Sequence, residues 1–195
     1  MSLNKYRELR HRADIIVDNG GFILRHGEMN PHIVNRFIDR LERQDAKDVW
    51  EPFANPDGRT FAAFEEAEIS LVATSLMQGH LKITEMDATR RAPDGNFDGI
   101  LFHPPYFGSS RFTTEERDLS NMDRDDWMDG MNRTANFASK RLRKGGLVCV
   151  VGRRYRYGGE EMRLDEWMIE AFSGMDPEEV WRSEPDIVII LRNKK

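Results

Sequence analysis

The sequence is short of cysteine and of long hydrophobic runs, and both absences narrow what the protein can be. The single Cys149 cannot form an internal disulfide or a cysteine-ligated zinc site, and its apolar neighbourhood at 147–151 predicts a buried thiol. No apolar stretch approaches the roughly 20 residues that a membrane-spanning helix needs. Residues 1–7 lack the apolar centre of a signal peptide. These features predict a cytoplasmic protein with no membrane partner.

An excess of positive charge is also absent. The formal net charge is −5, which argues against a protein that coats nucleic acid through bulk electrostatics. Charge is nevertheless uneven: residues 137–159 hold seven basic residues and no acid, interleaved with Tyr155 and Tyr157, whereas residues 115–129 hold seven acids against two arginines. Either run is typical of a solvated face. A local basic and aromatic patch is also what phosphate contact and base stacking require.

The pattern along the chain indicates one domain, residues 1–195, with alternating strands and helices. It shows no internal repeat, and residues 1–24 form an N-terminal extension of unassigned structure. Apolar spacing predicts helices at 31–44, 60–67, 124–143 and 164–172, and strands at 49–50, 69–74, 81–84, 97–102, 147–151, 180–182 and 186–191.

This alternation implies a seven-stranded, mainly parallel α/β sheet with helices on both faces. The last two predicted strands are separated only by residues 183–185, which are too few for a crossover helix. The sheet is therefore predicted to end in an antiparallel hairpin.

The loop after the strand at 97–102 is the strongest chemical signal. It reads His103-Pro104-Pro105-Tyr106, and ligands of open α/β sheets bind beyond the carboxyl ends of the strands. Two prolines stiffen the backbone and remove amide donors. The loop then suits a planar amino-bearing group, with acceptors for the amino hydrogens and a ring to stack on. The alternative is a plain proline turn.

Residues 97–107 closely resemble the catalytic motif of the amino-group DNA methyltransferases, in which an apolar strand leads into Asp, Asn or Ser and then Pro-Pro-Tyr or Pro-Pro-Phe. Further segments follow in one colinear order over about residues 20–192. Residues 51–54 resemble the start of the family's S-adenosylmethionine loop, and Asp87 lies where its acid for the adenine end of the cofactor usually lies. The Gly145-Gly146 turn and the strand after it resemble the turn and the fifth strand of the family. Residues 21–41 resemble the family segment that packs near the methionine end of the cofactor.

The resemblance implies a Rossmann-like class I methyltransferase fold and S-adenosyl-L-methionine as cofactor. It implies methylation of the exocyclic amino group of adenine in DNA, with cytosine as the alternative base and restriction-modification as one biological setting. No metal is expected. The residues implied at the cofactor are Glu51, Phe53, Asn55, Gly58, Asp87 and His26, and those implied in catalysis are His103, Pro104, Pro105 and Tyr106.

Nucleic-acid contacts are predicted at the same edge of the sheet, because the basic stretch follows the strand at 147–151. The predicted contact residues are Phe107, Arg111, Arg153, Arg154 and Arg156, and Phe112 is expected near the flipped base. A chain of this size leaves little room for a separate target-recognition domain. Sequence specificity is then expected from loops, from a specificity subunit or from a homodimer.

Three departures from the family pattern support a second hypothesis. Asn55 replaces the first glycine of the cofactor loop, Thr74 and Ser75 stand where a ribose-binding acid is expected, and His103 opens the catalytic loop. The second hypothesis is a catalytically inactive methyltransferase-like module that binds nucleic acid or a partner protein. A neutral imidazole at position 103 can still accept one hydrogen bond from an amino group, whereas a protonated one cannot.

Overall fold

The computed structural model describes residues 2–13, 15–16, 29–77, 79–108 and 113–195. Five helices and nine strands occur in this part of the chain, together with a short 3₁₀ turn at Leu119–Asn121. The helices are α1 (Ser2–His11), α2 (Pro31–Glu42), α3 (Thr60–Glu66), α4 (Arg124–Arg141) and α5 (Leu164–Ala171). The strands are β1 (Ile15–Ile16), β2 (Asp48–Glu51), β3 (Ser70–Ser75), β4 (Ile83–Glu85), β5 (Phe97–Phe102), β6 (Leu142–Tyr157), β7 (Glu160–Arg163), β8 (Asp176–Ser183) and β9 (Asp186–Arg192).

The strands form a sheet in the order β1-β8-β9-β6-β5-β2-β3-β4, and β7 pairs with the far end of β6. Neighbouring strands are parallel except where β9 runs antiparallel to β6 and β8, and where β7 runs antiparallel to β6. The predicted antiparallel hairpin is thus confirmed as β8–β9. The predicted count of seven strands was too low, because β1 has two residues and β7 reads Glu-Glu-Met-Arg, so neither shows an apolar pattern.

Two strands extend well beyond their predicted bounds for a common physical reason. β6 extends from Leu142 to Tyr157 rather than over 147–151, since its charged end pairs with β7 in a hairpin. β8 begins at Asp176 rather than at 180. Hydrogen bonds to a neighbouring strand hold these polar residues in extended structure, and hydrophobic patterning does not report such bonds.

Apolar side chains fill both faces of the sheet. Leu101, Cys149 and Val151 pack on the face covered by α2 and α3, whereas Phe102 and Val150 pack on the face covered by α4 and α5. The buried thiol predicted for Cys149 is confirmed, and burial raises its pKa far above the ordinary value. No helix in the described ranges is long and apolar enough to cross a membrane.

Helix α1, which the sequence pattern did not indicate, is fixed to the rest of the molecule by a buried polar network. Tyr6 is fully buried and donates a hydrogen bond to Asp165 at the start of α5. Arg154 Nε donates to Asp165 Oδ2 at 2.8 Å, and Arg7 Nη2 lies 2.8 Å from Glu166 Oε2. Helix α1, strand β6 and helix α5 are therefore joined through two carboxylates.

Candidate active site

The loops that follow β2, β3, β4 and β5 open onto one cavity of about 500 Å³. Parallel strands bring their carboxyl ends to the same edge of a sheet, which is where open α/β sheets bind ligands. The predicted site residues that line this cavity are Glu51, Phe53, Asn55, Asp87, His103, Pro104, Pro105, Tyr106 and Arg153. Lining residues that the sequence did not single out include Thr60, Met86, Arg117, Asp118 and Asp186.

Glu51 ends β2 and is only 2% exposed. Its Oε2 accepts a hydrogen bond from Thr60 Oγ at 2.7 Å, at the first residue of α3. Burial raises the pKa of Glu51 to about 7, although the hydrogen bond from Thr60 opposes this shift. A cationic ligand group next to this carboxyl would favour its ionised form, so the residue suits a site for a positively charged cofactor.

We expect Glu51→Gln to raise the free energy of unfolding at pH 8 by about 3 kcal/mol, because it removes a buried charge and keeps an acceptor for Thr60. The pKa of Glu51 is about 7 in the folded chain against an ordinary 4.5. The folded state therefore holds more protons between these values, and stability falls as pH rises through them. Urea unfolding at pH 5 and pH 8 measures the effect.

The exposed Glu66→Gln on α3 is the matched control. It changes the net charge equally without removing a buried carboxyl. Equal responses of the two variants between pH 5 and pH 8 would contradict the raised pKa of Glu51.

The loop after β2 differs from the expected cofactor loop at its glycine. Asn55 lines the cavity and accepts a hydrogen bond at Oδ1 from the backbone N–H of Asp57 at 3.3 Å. Gly58 does not line the cavity; it has φ +69°, and a Cβ there would lie 2.6 Å from His80 Cγ. Glycine is required at this position by the turn and by its contact with His80.

Asp87 follows β4 and carries one satisfied and one unsatisfied oxygen. Its Oδ1 accepts from Thr89 N at 3.0 Å and from Thr89 Oγ at 2.6 Å. Its Oδ2 is buried with no hydrogen-bond partner among the described residues, and Arg90 Nε lies 3.3 Å away. A buried acceptor of this kind suits an amino group of a bound ligand.

His103 lies directly after β5 and is half-buried. Burial lowers its pKa, and the nearby Arg153 lowers it further against the opposing effect of Asp186. The imidazole is therefore neutral at pH 7, and one of its ring nitrogens can accept a hydrogen bond. This is the protonation state that the proposed contact with an amino group needs.

Tyr106 is packed more closely than the stacking prediction implied. It is 7% exposed, and its O–H donates to Asp186 Oδ1 at 3.2 Å. Burial and the neighbouring Asp186 raise its pKa well above the ordinary value. The guanidinium carbon of Arg153 lies 5.4 Å from the ring centroid, and the His103 ring meets it edge-to-face at 5.5 Å. A base can stack directly on the Tyr106 face covered by Arg153 only if that guanidinium moves.

Trp127 on α4 fixes the backbone of the proline loop. Its side chain is fully buried in the core. Its indole Nε1–H also donates to the carbonyl of Pro105 at 2.8 Å. That carbonyl is thus already engaged, and the rigidity of the loop comes from this hydrogen bond as well as from the prolines.

The residues predicted to contact nucleic acid lie in different environments. Arg153 lies in the cavity, with Nε 2.9 Å from Asp186 Oδ1. The Arg154 side chain is 17% exposed and pairs with Asp165 and Glu166. Phe107 is buried edge-to-face against Tyr157, whereas Arg156 is exposed on the β6–β7 hairpin. Of these residues, only Arg156 is placed on an open surface.

Three further predicted positions, His26, Arg111 and Phe112, lie outside the described residues. Their predicted contacts with cofactor and nucleic acid therefore remain predictions. Within the described ranges, no group of three histidine, cysteine or acidic residues could hold a metal ion.

No family model matches the chain, and no curated protein matches it. Several solved structures are similar to it. The N-methyltransferase NodS from Bradyrhizobium japonicum, in complex with S-adenosyl-L-homocysteine, is 13% identical over 98% of this chain and 100% of its own, with a TM-score of 0.57. Burkholderia thailandensis 1,6-didemethyltoxoflavin-N1-methyltransferase, with its substrate and S-adenosylhomocysteine bound, is 14% identical over 83% and 79%, with a TM-score of 0.53.

A third similar structure is the T. thermophilus 16S rRNA N2 G1207 methyltransferase in complex with AdoMet and guanosine. It is 14% identical over 86% of this chain, which spans 44% of that protein, and the TM-score is 0.53. These likenesses confirm the predicted Rossmann-like methyltransferase fold, with a mostly parallel sheet and an antiparallel hairpin formed by β8 and β9.

Proposed function

We propose that the protein transfers a methyl group from S-adenosyl-L-methionine to the exocyclic amino group of a nucleobase, namely adenine in DNA, with cytosine as the alternative base. One observation carries the proposal: the Glu51 loop, Asp87 and the His103-Pro104-Pro105-Tyr106 loop line a single cavity of about 500 Å³. A cavity of this size lies within the range typical of cofactor and ligand sites.

Support for the cofactor comes from the chemistry of the lining residues. Asp87 Oδ2 is a buried acceptor without a hydrogen-bond partner among the described residues, which fits the amino group of an adenine. Glu51 is a buried carboxyl in the wall of the same cavity, where a cationic ligand would keep it ionised. The three similar structures were each obtained with S-adenosylmethionine or its demethylated product.

Support for the reacting group comes from the loop after β5. When bound, the cofactor would supply an electrophilic methyl group. The neutral ring of His103 and the carbonyl of Pro104 would accept the hydrogens of the target amino group and orient its lone pair toward that methyl. Asp186 holds Tyr106, and Trp127 holds Pro105, so the acceptors keep a fixed position. Catalysis in this arrangement is mainly positioning.

The choice of DNA rests on the resemblance of residues 97–107 to the amino-group DNA methyltransferases. Of the three similar proteins, one is named for a small molecule and one for rRNA. A target base in duplex DNA would have to flip out of the helix to enter the cavity. Specificity would come from loops, from a partner subunit or from a second copy of the chain.

Calorimetry with S-adenosylmethionine and S-adenosylhomocysteine tests the proposal. We expect Asp87→Ala to weaken cofactor binding about tenfold to a hundredfold, because a hydrogen bond to a charged group contributes about 1.5–3 kcal/mol. Asp94→Ala, an exposed aspartate outside the cavity, is the matched control and should leave binding unchanged. If neither ligand binds the unaltered protein at millimolar concentration, the proposed enzymatic function is wrong.

A second candidate is a module with the same fold that binds nucleic acid or a partner protein without catalysis. It is favoured by Arg153, which covers the Tyr106 ring, and by Ser75, which stands where a ribose-binding acid is expected. Cofactor binding without methyl transfer to unmethylated genomic DNA or to free nucleosides would favour this candidate.

A further inference from the structure

A second cavity of about 290 Å³ adjoins the first. The two cavities share Leu76, Met86, Asp87 and Arg117 in their walls. The second cavity is completed by Glu85, Arg90 and Arg91. Three arginines and two carboxylates therefore line a space beside the candidate active site, and the three arginines have no role in the mechanism above.

Two separate loops bring the arginines to this cavity. In the first loop, the backbone N–H groups of Arg90 and Arg91 both donate to the carbonyl of Asp87, at 3.1 and 3.2 Å. In the second loop, the buried Asp118 accepts at Oδ2 from the N–H of Thr113 at 2.9 Å and stands beside Arg117. The arginines are therefore carried by ordered turns rather than by unstructured surface.

The three guanidinium groups keep donors for an additional anion. Arg90 is 73% exposed with Nε 3.3 Å from Asp87, and Arg117 is 44% exposed with Nε 3.5 Å from Glu115. Arg91 is exposed, and no ion pair joins it to a carboxylate among the contacts of the described residues. The exposed pair of Arg117 with Glu115 is weak, so an incoming anion displaces it at small cost. Arg90 can keep its Nε contact with Asp87 and offer its other N–H donors to the anion.

We propose that this second cavity, which we call the arginine cavity, binds a backbone phosphate of the nucleic-acid strand whose target base enters the first cavity. The proposal rests on the proposed function and adds to it a separate site for the backbone of the polynucleotide substrate. Arginine binds phosphate through two parallel N–H donors. Arg117 lines both cavities, so one nucleotide can present its base to the first and its backbone to the second.

The arginine cavity also explains how a chain with a net charge of −5 can bind a polyanion. Bulk attraction is absent, so phosphate contact depends on a local cluster. Each phosphate contact releases bound counterions from the nucleic acid, which gives the affinity a measurable dependence on salt concentration.

Fluorescence anisotropy with labelled single-stranded and duplex DNA, and with RNA of the same sequence, tests the proposal in the presence of S-adenosylhomocysteine. The test variant is Arg91→Ala combined with Arg117→Ala. The control combines Arg12→Ala with Arg43→Ala, which removes the same charge from exposed arginines that line neither cavity. We expect the test variant to bind at least tenfold more weakly and to lower the slope of log affinity against log salt by about two.

The outcomes separate this proposal from the proposed function. Suppose the test variant matches the control in affinity and in salt dependence, while the unaltered protein binds S-adenosylhomocysteine. The assignment of phosphate to the arginine cavity is then wrong, and the proposed function is unaffected. If the unaltered protein does not bind S-adenosylhomocysteine, the proposed function fails instead. If inorganic phosphate competes with the oligonucleotides in the unaltered protein and in the control but not in the test variant, the phosphate assignment is supported. The nucleic acid whose binding to the test variant shows the reduced dependence on salt concentration is identified as the substrate polymer.

Discussion

His103→Ala should reduce methyl transfer by about two to three orders of magnitude and leave S-adenosylhomocysteine affinity within a factor of about three. The size follows from the usual cost of removing one positioned hydrogen-bonding group at a reacting centre. The ring accepts a hydrogen of the target amino group only when neutral. Because burial lowers the pKa of His103, the unaltered protein should keep full activity at pH 7 and lose it as pH falls through a value below the ordinary 6.5.

Labelled cofactor and unmethylated genomic DNA provide the assay. His103→Asp supplies an anionic acceptor at the same position and should retain activity with a weaker dependence on pH. His11→Ala is the control, because His11 is exposed at the end of α1 and does not line the cavity. An active His103→Ala variant with an unchanged pH profile would show that the loop is structural.

Asp165→Ala should lower the free energy of unfolding by about 3–5 kcal/mol, the usual cost of breaking a buried ion pair from one side. Asp165 is fully buried and accepts hydrogen bonds from Tyr6 and from Arg154. Its removal leaves a buried phenol without its acceptor and a mostly buried guanidinium with one carboxylate fewer.

Urea unfolding and thermal melting of the Asp165 variant measure this loss. Glu161→Ala is the control, since its side chain is 48% exposed and its pairing with Arg163 is a surface contact. Asp165→Asn keeps an acceptor for Tyr6 and should be less damaging than Asp165→Ala. A loss below about 1 kcal/mol for Asp165→Ala would mean that α1 is held by apolar packing rather than by this network.

Hydrophobic patterning predicted the helices and strands that are held in place by buried apolar side chains. β5 was predicted with its observed bounds, because all but one of its residues are buried. The pattern missed α1. Tyr6 is the one fully buried residue among the α1 positions whose burial is described, and other anchors are charged side chains such as Lys5 and Arg7. Ion pairs between distant segments leave no local periodicity in a sequence, so such an element becomes visible only in three dimensions.

The sequence predicted which loops form the candidate site, but it did not predict all the side chains that contact one another there. The rule that ligands bind beyond the carboxyl ends of parallel strands pointed to the loop at His103. The family resemblance implied Glu51 and Asp87, and the three residues line one cavity. Asp186 was missed because its contact with Tyr106 spans 80 positions and depends on the register of β9 against β6. The same register opposes Arg153 to Asp186, and no sequence pattern reports it.

The attachment of α1 also constrains the order in which the molecule assembles. Lys5 contacts Asp176 across 171 positions, and among the described strands β1 pairs with β8 alone. The native contacts of helix α1 therefore require α5 and the β8–β9 hairpin to be in place. Contacts between residues so far apart in sequence form late and slowly. Closing a long loop costs conformational entropy before the contact can offset that loss. The central strands can thus collapse first, while the edge of β8 stays open until β1 and α1 arrive to cover it.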